Sequence, residues 1–312
     1  FSRYSPVPGY PALRQAIVDK LKNENNLEYT INQISCSNGA KQSVCNVVMA
    51  LVNEGDEVIA IAPFFPEYRV FAEKAGADFK VVKCRESDFQ IDFAVLENAI
   101  TKNTKAIIVN SPNNPTGVVL SEETIVELSK LLNKKQEEFG TSIYIICDEP
   151  YRELSYGVEV PYIPEYYNNT IVCYSYSKSL SLPGERIGYL VIPSEMPDYK
   201  NVFAAASIAT RILGFVNAPS LMQRAVAKVN YVEHRLEVKK INGYTFIDDA
   251  FNSNPVGSSM ALEVLKMMPG RRWIVTPGMI DLGDKQAELN KQFGMKMKDR
   301  ADEVILVGVN QT

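Results

Sequence analysis

The amino-acid sequence predicts an α/β protein with an open sheet covered by helices. Apolar runs typical of buried strands alternate along the chain with amphipathic segments of helical period. Polar turns rich in Asn, Pro and Gly follow several of these runs, for example at 110–117 and 183–188. Because open α/β sheets bind ligands at the ends of their strands, these turns hold the candidate binding residues.

Helices are predicted where apolar residues recur at helical spacing. Between 11 and 25, Leu13, Ile17 and Leu21 share one face, and a proline stands near the start. Ser121 is predicted to cap a helix of about 15 residues, with acids in its first turn and lysines toward its end. The other elements predicted in this part are a helix at 41–52, a strand at 57–62, a helix at 67–75, strands at 79–83, 143–147 and 170–174, and two helices between 198 and 229.

The pattern changes from about residue 231. A strand at 244–248, a helix at 257–268, a strand at 272–276, a helix at 284–298 and a strand at 303–308 predict a small parallel, Rossmann-like α/β unit. With 312 residues the chain is long enough for two domains. We therefore predict domains at 1–229 and 230–312.

Composition excludes several classes of function. Apolar residues make up 46% of the chain, and the net charge of −4 favours neither nucleic acid nor an anionic membrane as a partner. The five scattered cysteines are interpreted as reduced core thiols and not as a metal site, and the single histidine, His234, argues against Ser-His-Asp hydrolysis. No apolar run approaches the length of a membrane span and no signal peptide is recognisable, so we expect a cytoplasmic enzyme.

Three strand-end segments carry the candidate chemistry. Lys178 follows an apolar run within Ser-Tyr-Ser-Lys and precedes Arg186, an arrangement that suits an imine-forming lysine beside a bound phosphate. Asp148 ends another run, where a carboxylate needs a positive partner such as a pyridinium nitrogen. Each segment also has an ordinary interpretation: a surface loop for 175–178, a helix cap for Asp148, and a plain turn for 109–117.

Together these segments resemble the fold-type I, pyridoxal phosphate (PLP)-dependent class I/II aminotransferases. The resemblance covers residues 1 to about 229 and rests on five motifs in family order: Asn-Gly-Ala-Lys-Gln (38–42), Ala-Pro-Phe-Phe-Pro-Glu-Tyr (62–68), Asn-Asn-Pro-Thr-Gly (113–117), Asp-Glu-Pro-Tyr (148–151) and Ser-Tyr-Ser-Lys (175–178). It implies an aminotransferase-type large domain with a mixed, mostly parallel sheet, PLP as cofactor, amino acid and 2-oxo acid substrates, and a homodimer.

The resemblance also implies a role for each site residue. Lys178, Asp148 and Tyr151 are expected to be catalytic: Lys178 forms a Schiff base with PLP, Asp148 pairs with the pyridine nitrogen, and Tyr151 contacts the 3-oxygen together with Asn114. The other expected PLP contacts stack on the ring or bind its phosphate. They are Phe65 on the ring; Gly39, Ala40, Lys41, Ser175, Ser177 and Arg186 on the phosphate; and Tyr4 on the phosphate of the neighbouring subunit.

The segment from about 230 to 312 resembles the C-terminal domain of Mur ligases, most closely the enzyme that adds D-alanyl-D-alanine to the UDP-MurNAc-tripeptide. This resemblance implies that Arg235 and Asp249 help to bind a nucleotide. Read without it, the acids at 248–249 simply cap the following helix. Because the chain contains no G-x-x-x-x-G-K-[ST] motif, we expect no ligase activity from this segment alone.

Three hypotheses remain open. The chain is an aminotransferase, a PLP-binding protein with impaired catalysis, or a nucleotide- or peptidoglycan-precursor-binding protein through its second segment. Two incomplete pieces joined near residue 230 fit a natural fusion, an assembly artefact or an engineered chimera equally well. Because the family's small domain, with its carboxylate-binding arginine, is not recognisable in the sequence, we expect turnover to be weak or absent.

Overall fold

The computed structural model describes residues 4–25, 27–155, 158–229, 237–241, 243–248, 255–279 and 282–308. Contacts within the chain group its residues into two compact units, Phe1–Val229 and Asn230–Thr312. In the part of the chain that is described, no helix is long and apolar enough to cross a membrane. The same residues contain no cluster of His, Cys, Asp and Glu that could hold a metal ion.

A seven-stranded sheet forms the centre of the first unit. Its strands are β1 (Ile34–Ser37), β2 (Glu57–Ala62), β3 (Asp78–Lys83), β4 (Thr104–Asn110), β5 (Tyr144–Asp148), β6 (Thr170–Ser175) and β7 (Gly188–Val191). They are arranged in the order β1-β7-β6-β5-β4-β2-β3. Strand β7 is antiparallel to both of its neighbours, and the other pairs are parallel. The sheet is therefore mixed and mostly parallel, as expected.

Helices cover both faces of this sheet. They are α1 (Pro11–Asn25), α2 (Ala40–Leu51), α3 (Glu67–Lys74), α4 (Phe93–Ala99), α5 (Glu122–Phe139), α6 (Tyr176–Ser179), α7 (Tyr199–Ile212) and α8 (Ser220–Val226). Ser121 caps α5 as predicted, its side chain accepting a hydrogen bond from the backbone N–H of Thr124, although the helix has 18 residues. Strands β1 and β7 and helices α4 and α6 were not predicted.

Side chains alternate between two cores because successive strand residues point to opposite faces. In β4, Ile107 belongs to the core under α1 and α5, and Ile108 belongs to the core under α2 and α7. Both cores are fully buried, so the sheet is a rigid platform. The carboxyl ends of β4, β5 and β6 lie at one edge of this platform, with Asn110, Asp148 and Cys173 side by side in register.

The described part of the second unit contains β8 (Glu237–Ile241), β9 (Tyr244–Asp248), α9 (Pro255–Met267), β10 (Trp273–Thr276), α10 (Gln286–Met297) and β11 (Glu303–Leu306). Strands β10 and β11 are parallel, as predicted. The prediction for 244–248 was wrong in one respect, because β9 pairs antiparallel with β8 and not with a parallel neighbour. The two strands are separated by Asn242 and Gly243, a pair that favours tight hairpins and that the sequence interpretation overlooked.

Candidate active site

Asp148 lies at the carboxyl end of β5 and is 8% exposed. Its Oδ2 accepts a 2.5 Å hydrogen bond from the hydroxyl of Tyr68. Its Oδ1 is buried and has no hydrogen-bond partner among the described residues. Burial raises the pKa of Asp148 to about 6, and the Tyr68 hydrogen bond opposes that rise. A buried carboxylate with one unused oxygen is a ready acceptor for a cationic N–H donor.

Two aromatic side chains, Tyr68 and Phe65, lie on one side of this carboxylate, Tyr68 in contact with it and Phe65 packed on Tyr68. The ring of Phe65 meets the ring of Tyr68 edge-on, with centroids 5.7 Å apart. The Lys41 ammonium lies 5.1 Å from the Phe65 centroid and pairs with Glu67 at 2.7 Å. Phe65 is only half-buried, so part of its ring remains available to stack on a planar group.

A polar loop after β4 approaches the same edge. Asn110, which ends the strand, donates from Nδ2 to the backbone carbonyl of Asp148 (2.7 Å) and accepts at Oδ1 from the backbone N–H of Asn114 (2.6 Å). Asn114 in turn donates from Nδ2 to the hydroxyl of Tyr151, at 3.2 Å. The two asparagines therefore tie the 113–117 turn to β5 and hold two polar groups beside Asp148.

Gly39, Ser175, Ser177 and Arg186 form a small cradle. It lies at the start of α2, at the end of β6 and beside the start of β7. Gly39 precedes α2 with φ +94°, and a Cβ there would lie 2.9 Å from Nη2 of Arg186 and 3.4 Å from Oγ of Ser175. Oγ of Ser175 donates a hydrogen bond to Oγ of Ser177 at 2.8 Å. The same Oγ caps α6 by accepting a hydrogen bond from the backbone N–H of Ser177 at 3.1 Å. A Cβ at Gly188 would clash with the carbonyl oxygen of Tyr174 and lie 2.8 Å from the Cα of Gly39, so close approach of the backbone requires a glycine at position 188, whereas the positive φ favours one at position 39.

This cradle has the chemistry of an anion site. It joins a guanidinium, two hydroxyls and the N-terminus of α2, where Ala40 and Lys41 occupy the first turn. Arg186 is exposed and its Nη1 donates to the carbonyl of Pro183 at 2.6 Å. A phosphate is the anion that such a set of donors fits best.

Lys178 lies in α6, between the cradle and Tyr151. Its Nζ is 5.8 Å from the centroid of the Tyr151 ring, and the side chain is exposed to solvent. The short helix is fixed to the strand before it, because the hydroxyl of Tyr174 forms hydrogen bonds with Oγ of Ser179 at 2.7 Å and with Oε1 of Glu153 at 2.6 Å. The amine is thus accessible while its backbone is fixed.

Most of the residues singled out from the sequence therefore meet at one sheet edge. Phe65, Asn114, Asp148, Tyr151 and Lys178 lie on one side, and Gly39, Ala40, Lys41, Ser175, Ser177 and Arg186 lie at or beside the cradle. Tyr4 differs, because it is 84% exposed and no described contact joins it to the site. Arg235 and Asp249 lie outside the described residues.

Sequence reasoning missed two residues of this edge. Tyr68 was noticed only as the last residue of a motif, although it is the hydrogen-bond donor to Asp148. Asn110 was noticed only as part of a turn, although it ends β4 in register with Asp148. A polar residue at the end of an otherwise apolar strand was the available signal for Asn110; for Tyr68 there was none.

A buried carboxylate oxygen without a partner in the described part of the chain, a half-exposed aromatic ring, an accessible lysine and an anion cradle fit a phosphorylated aromatic aldehyde such as PLP. Comparison of the chain with known protein families and structures agrees with this fit. Residues 1–244 match the family model for aminotransferase class I and II, and the chain belongs to this family, whose members depend on PLP. Residues 234–312 match the model for the Mur ligase, glutamate ligase domain.

Individual relatives are aminotransferases. The chain is 36% identical to a probable aspartate/prephenate aminotransferase of Aquifex aeolicus over 65% of the chain and 51% of the relative. It is 31% identical to a probable N-acetyl-LL-diaminopimelate aminotransferase of Bacillus subtilis over 83% of the chain and 70% of the relative. Several of the curated relatives, including the first of these, are matched over about half of their length.

Solved structures give the same picture. An aminotransferase from Eubacterium rectale superposes with a TM-score of 0.71 at 48% identity, covering 72% of this chain and 57% of the other. Aspartate aminotransferase from Thermus thermophilus with maleate superposes with a TM-score of 0.65 at 30% identity, covering 72% and 56%. The aminotransferase fold of the first unit is thereby established.

Proposed function

We propose that the protein is a PLP-dependent aminotransferase whose residues 1–229 form the PLP-binding large domain. The observation that carries the proposal is the buried Oδ1 of Asp148, which has no partner among the described residues and lies at the sheet edge that Lys178 occupies. Desolvating a carboxylate in this way is costly unless a cation completes the site. The protonated ring nitrogen of PLP is such a cation.

Each residue then has a defined task. When bound, PLP supplies an electron-withdrawing ring that stabilises negative charge at the substrate Cα. Lys178 would hold the resting cofactor through its Nζ, and once the substrate amine takes that place the freed amine would move the proton at Cα. Asp148 would keep a negative charge opposite the ring nitrogen, and Tyr151 and Asn114 would donate hydrogen bonds to the ring oxygen. Arg186 and the hydroxyls of the cradle would bind the phosphate.

The proposal also covers the substrates, the cellular compartment and the oligomeric state. Amino transfer between an amino acid and a 2-oxo acid is the reaction class that the names of the relatives support. We place the protein in the cytoplasm and expect a homodimer in which Tyr4 reaches the neighbouring subunit's phosphate.

Chemical trapping tests the proposal directly. The full chain is incubated with PLP, reduced with borohydride, digested and mapped by mass spectrometry. The pyridoxyl group should lie on Lys178 and should disappear in Lys178→Ala. Lys200→Ala is the matched control, because Lys200 also lies near a tyrosine ring, 6.0 Å from the centroid of Tyr199. A label on any other lysine, or no label on the parent protein, would refute the assignment.

Two alternatives are separated by further assays. Residues 234–312 match the Mur ligase model, which belongs to a different class of enzyme from the aminotransferases. Covalent PLP without turnover of an amino donor and 2-oxoglutarate would identify a PLP-binding protein with impaired catalysis. Nucleotide or peptidoglycan-precursor binding by the second unit is tested by titration with ATP and by its loss in Arg235→Ala and Asp249→Ala.

A further inference from the structure

Tyr68 holds an unusual position for a core tyrosine. It lies in the first turn of α3, is 2% exposed, and its hydroxyl donates to Oδ2 of Asp148 at 2.5 Å. The ring is fixed on two sides by Phe64, whose centroid is 6.5 Å away in a stacked arrangement, and by Phe65. The phenol therefore has little freedom to leave the carboxylate.

As a consequence, the two carboxylate oxygens of Asp148 differ in their hydrogen bonding. Oδ2 is occupied by the phenol, and Oδ1 is left for another donor. Asn110 donates a hydrogen bond to the backbone carbonyl of Asp148, so Asp148 is held both at its backbone and at its side chain. A rigid carboxylate loses little conformational entropy when it meets its partner, which favours binding.

The charge type of the donor matters as much as its position. The titratable groups around Asp148 are Tyr68 from α3, Tyr151 from the segment after β5, Cys147 in β5 and Cys173 in β6. Burial raises the pKa of all four, so they are neutral near pH 6. A phenol favours the charged form of Asp148 by hydrogen bonding while adding no positive charge that would compete with a cationic ligand.

We propose that Tyr68 is the positioning residue of this site: it orients Asp148 so that Oδ1 faces the ring nitrogen of PLP, and it keeps the carboxylate ionised at neutral pH. The inference rests on the proposed function. It assigns a role to a residue that binds no part of PLP itself.

The first test needs no cofactor. In the full chain labelled with ¹³C-aspartate, the Asp148 carboxyl resonance is identified by its loss in Asp148→Asn, and its pKa is measured by titration. Tyr68→Phe should raise that pKa by about one unit, a tenfold change in the protonation equilibrium. Tyr167→Phe is the matched control: Tyr167 is also buried, and its hydroxyl donates at 2.6 Å to the carbonyl of Ile143, before the other end of β5.

The second test uses PLP. Affinity for PLP should fall about twofold at pH 7 in Tyr68→Phe and about tenfold near pH 5, because the pH profile of the affinity should move upward by about one unit. Site-specific replacement of Tyr68 by 3-fluorotyrosine keeps the ring and strengthens the donor, so it should lower the pKa of Asp148. This variant decides the matter if Tyr68→Phe does not fold.

The outcomes are distinct. An unchanged pKa of Asp148 in both Tyr68 variants, or an equal change in Tyr167→Phe, overturns the inference whether or not PLP binds. Absence of PLP binding by the parent protein overturns the proposed function and, with it, the role of Tyr68 toward the cofactor. Matching shifts in the titration and in the affinity profile, absent from Tyr167→Phe, support it.

Discussion

The two units of the chain differ in whether they bury charged side chains. The first unit has surface ion pairs such as Arg85–Asp88, but it also takes charged groups into its interior: Glu149 is 2% exposed and bonds Arg152 at 2.9 Å, and Asp148 bonds Tyr68. In the described part of the second unit, the ion pairs lie at the surface. They are Arg271–Glu303, Arg272–Asp302 and Arg300–Glu263.

The difference follows from the size of the supporting cores. Two large clusters cover the faces of the seven-stranded sheet, whereas the cluster formed by the described residues of the second unit has three buried members, Leu262, Ile274 and Met297. Burying a charge costs several kcal/mol, roughly, even when it is paired, and only an extensive core offsets that cost. A site with buried charges is therefore better supported by the core of the first unit.

Arg152→Ala is expected to have the largest effect on stability, and it should act on the first unit alone. Removing the guanidinium leaves Glu149 buried without its ion-pair partner and should destabilise the first unit by about 3–5 kcal/mol. Arg300→Ala, which breaks the surface pair with Glu263, should cost the second unit only about 0–1 kcal/mol.

Urea denaturation followed by two probes separates these costs. Trp273 is the sole tryptophan and lies in β10, so its fluorescence reports the second unit, while hydrogen exchange of β4 and β5 reports the first. If Arg152→Ala moved both transitions equally, or Arg300→Ala cost as much, the contrast between the units would be lost.

The next effect concerns the rate of amino transfer. Asp148→Asn removes the negative charge opposite the ring nitrogen and should slow single-turnover transfer by about 10²–10³-fold while PLP remains bound. Asp88→Asn is the control, because Asp88 is an exposed carboxylate paired with Arg85. Stopped-flow kinetics with an amino donor gives the comparison. A parental rate in Asp148→Asn would mean that Asp148 has a structural role only.

A somewhat smaller effect is predicted for stability as a function of pH. The pKa of Asp148 is about 6 in the folded protein and 3.8 in its ordinary state, so ionisation favours the unfolded chain. The resulting penalty is absent below about pH 4, develops between the two values, and reaches roughly 2–3 kcal/mol above pH 6. Without PLP, Asp148→Asn should therefore stabilise the first unit at pH 7.5 but not at pH 4. Denaturation at both pH values measures this, and a gain that persists at pH 4 would contradict the sign.

The smallest effect is expected at the cradle. Gly39→Ala places a Cβ 2.9 Å from Nη2 of Arg186, which must move away, so affinity for PLP should fall about tenfold. Gly55→Ala is a matched control: Gly55 also has positive φ (+87°), but a Cβ there meets no atom within 4 Å. It should share the backbone strain and leave PLP affinity unchanged in an absorbance titration. Equal losses in both variants would assign the effect to strain.

Much of the first unit could be predicted from sequence because its signals are local. The helix predicted at 41–52 is α2 (Ala40–Leu51), and the strand predicted at 57–62 is β2. Family membership was predictable for the same reason, since each motif follows its own strand, and the family match confirms it. The roles of the site residues remain predictions.

The features that were missed depend on long-range pairing. Strand β1 reads Ile-Ser-Cys-Ser, and its serines are buried only because β7 pairs with it from a distant part of the chain. Tyr68 looks like an ordinary core residue of an amphipathic helix, and only the tertiary fold brings it to Asp148, 80 positions away. Sequence periodicity contains no information about such contacts.

Strand β7 has a consequence for how this chain tolerates changes in length. Because it runs back along β6, Ser175 at the end of one strand faces Gly188 at the start of the other, and the segment 176–187 is pinned at both ends. Lys178 and Arg186 both lie within this closed segment. Surface loops usually accept insertions and deletions, but here a single residue gained or lost would shift lysine and arginine against each other. A change in the length of this segment should therefore disturb the spacing of Lys178 and Arg186 more than a substitution at one of its other positions.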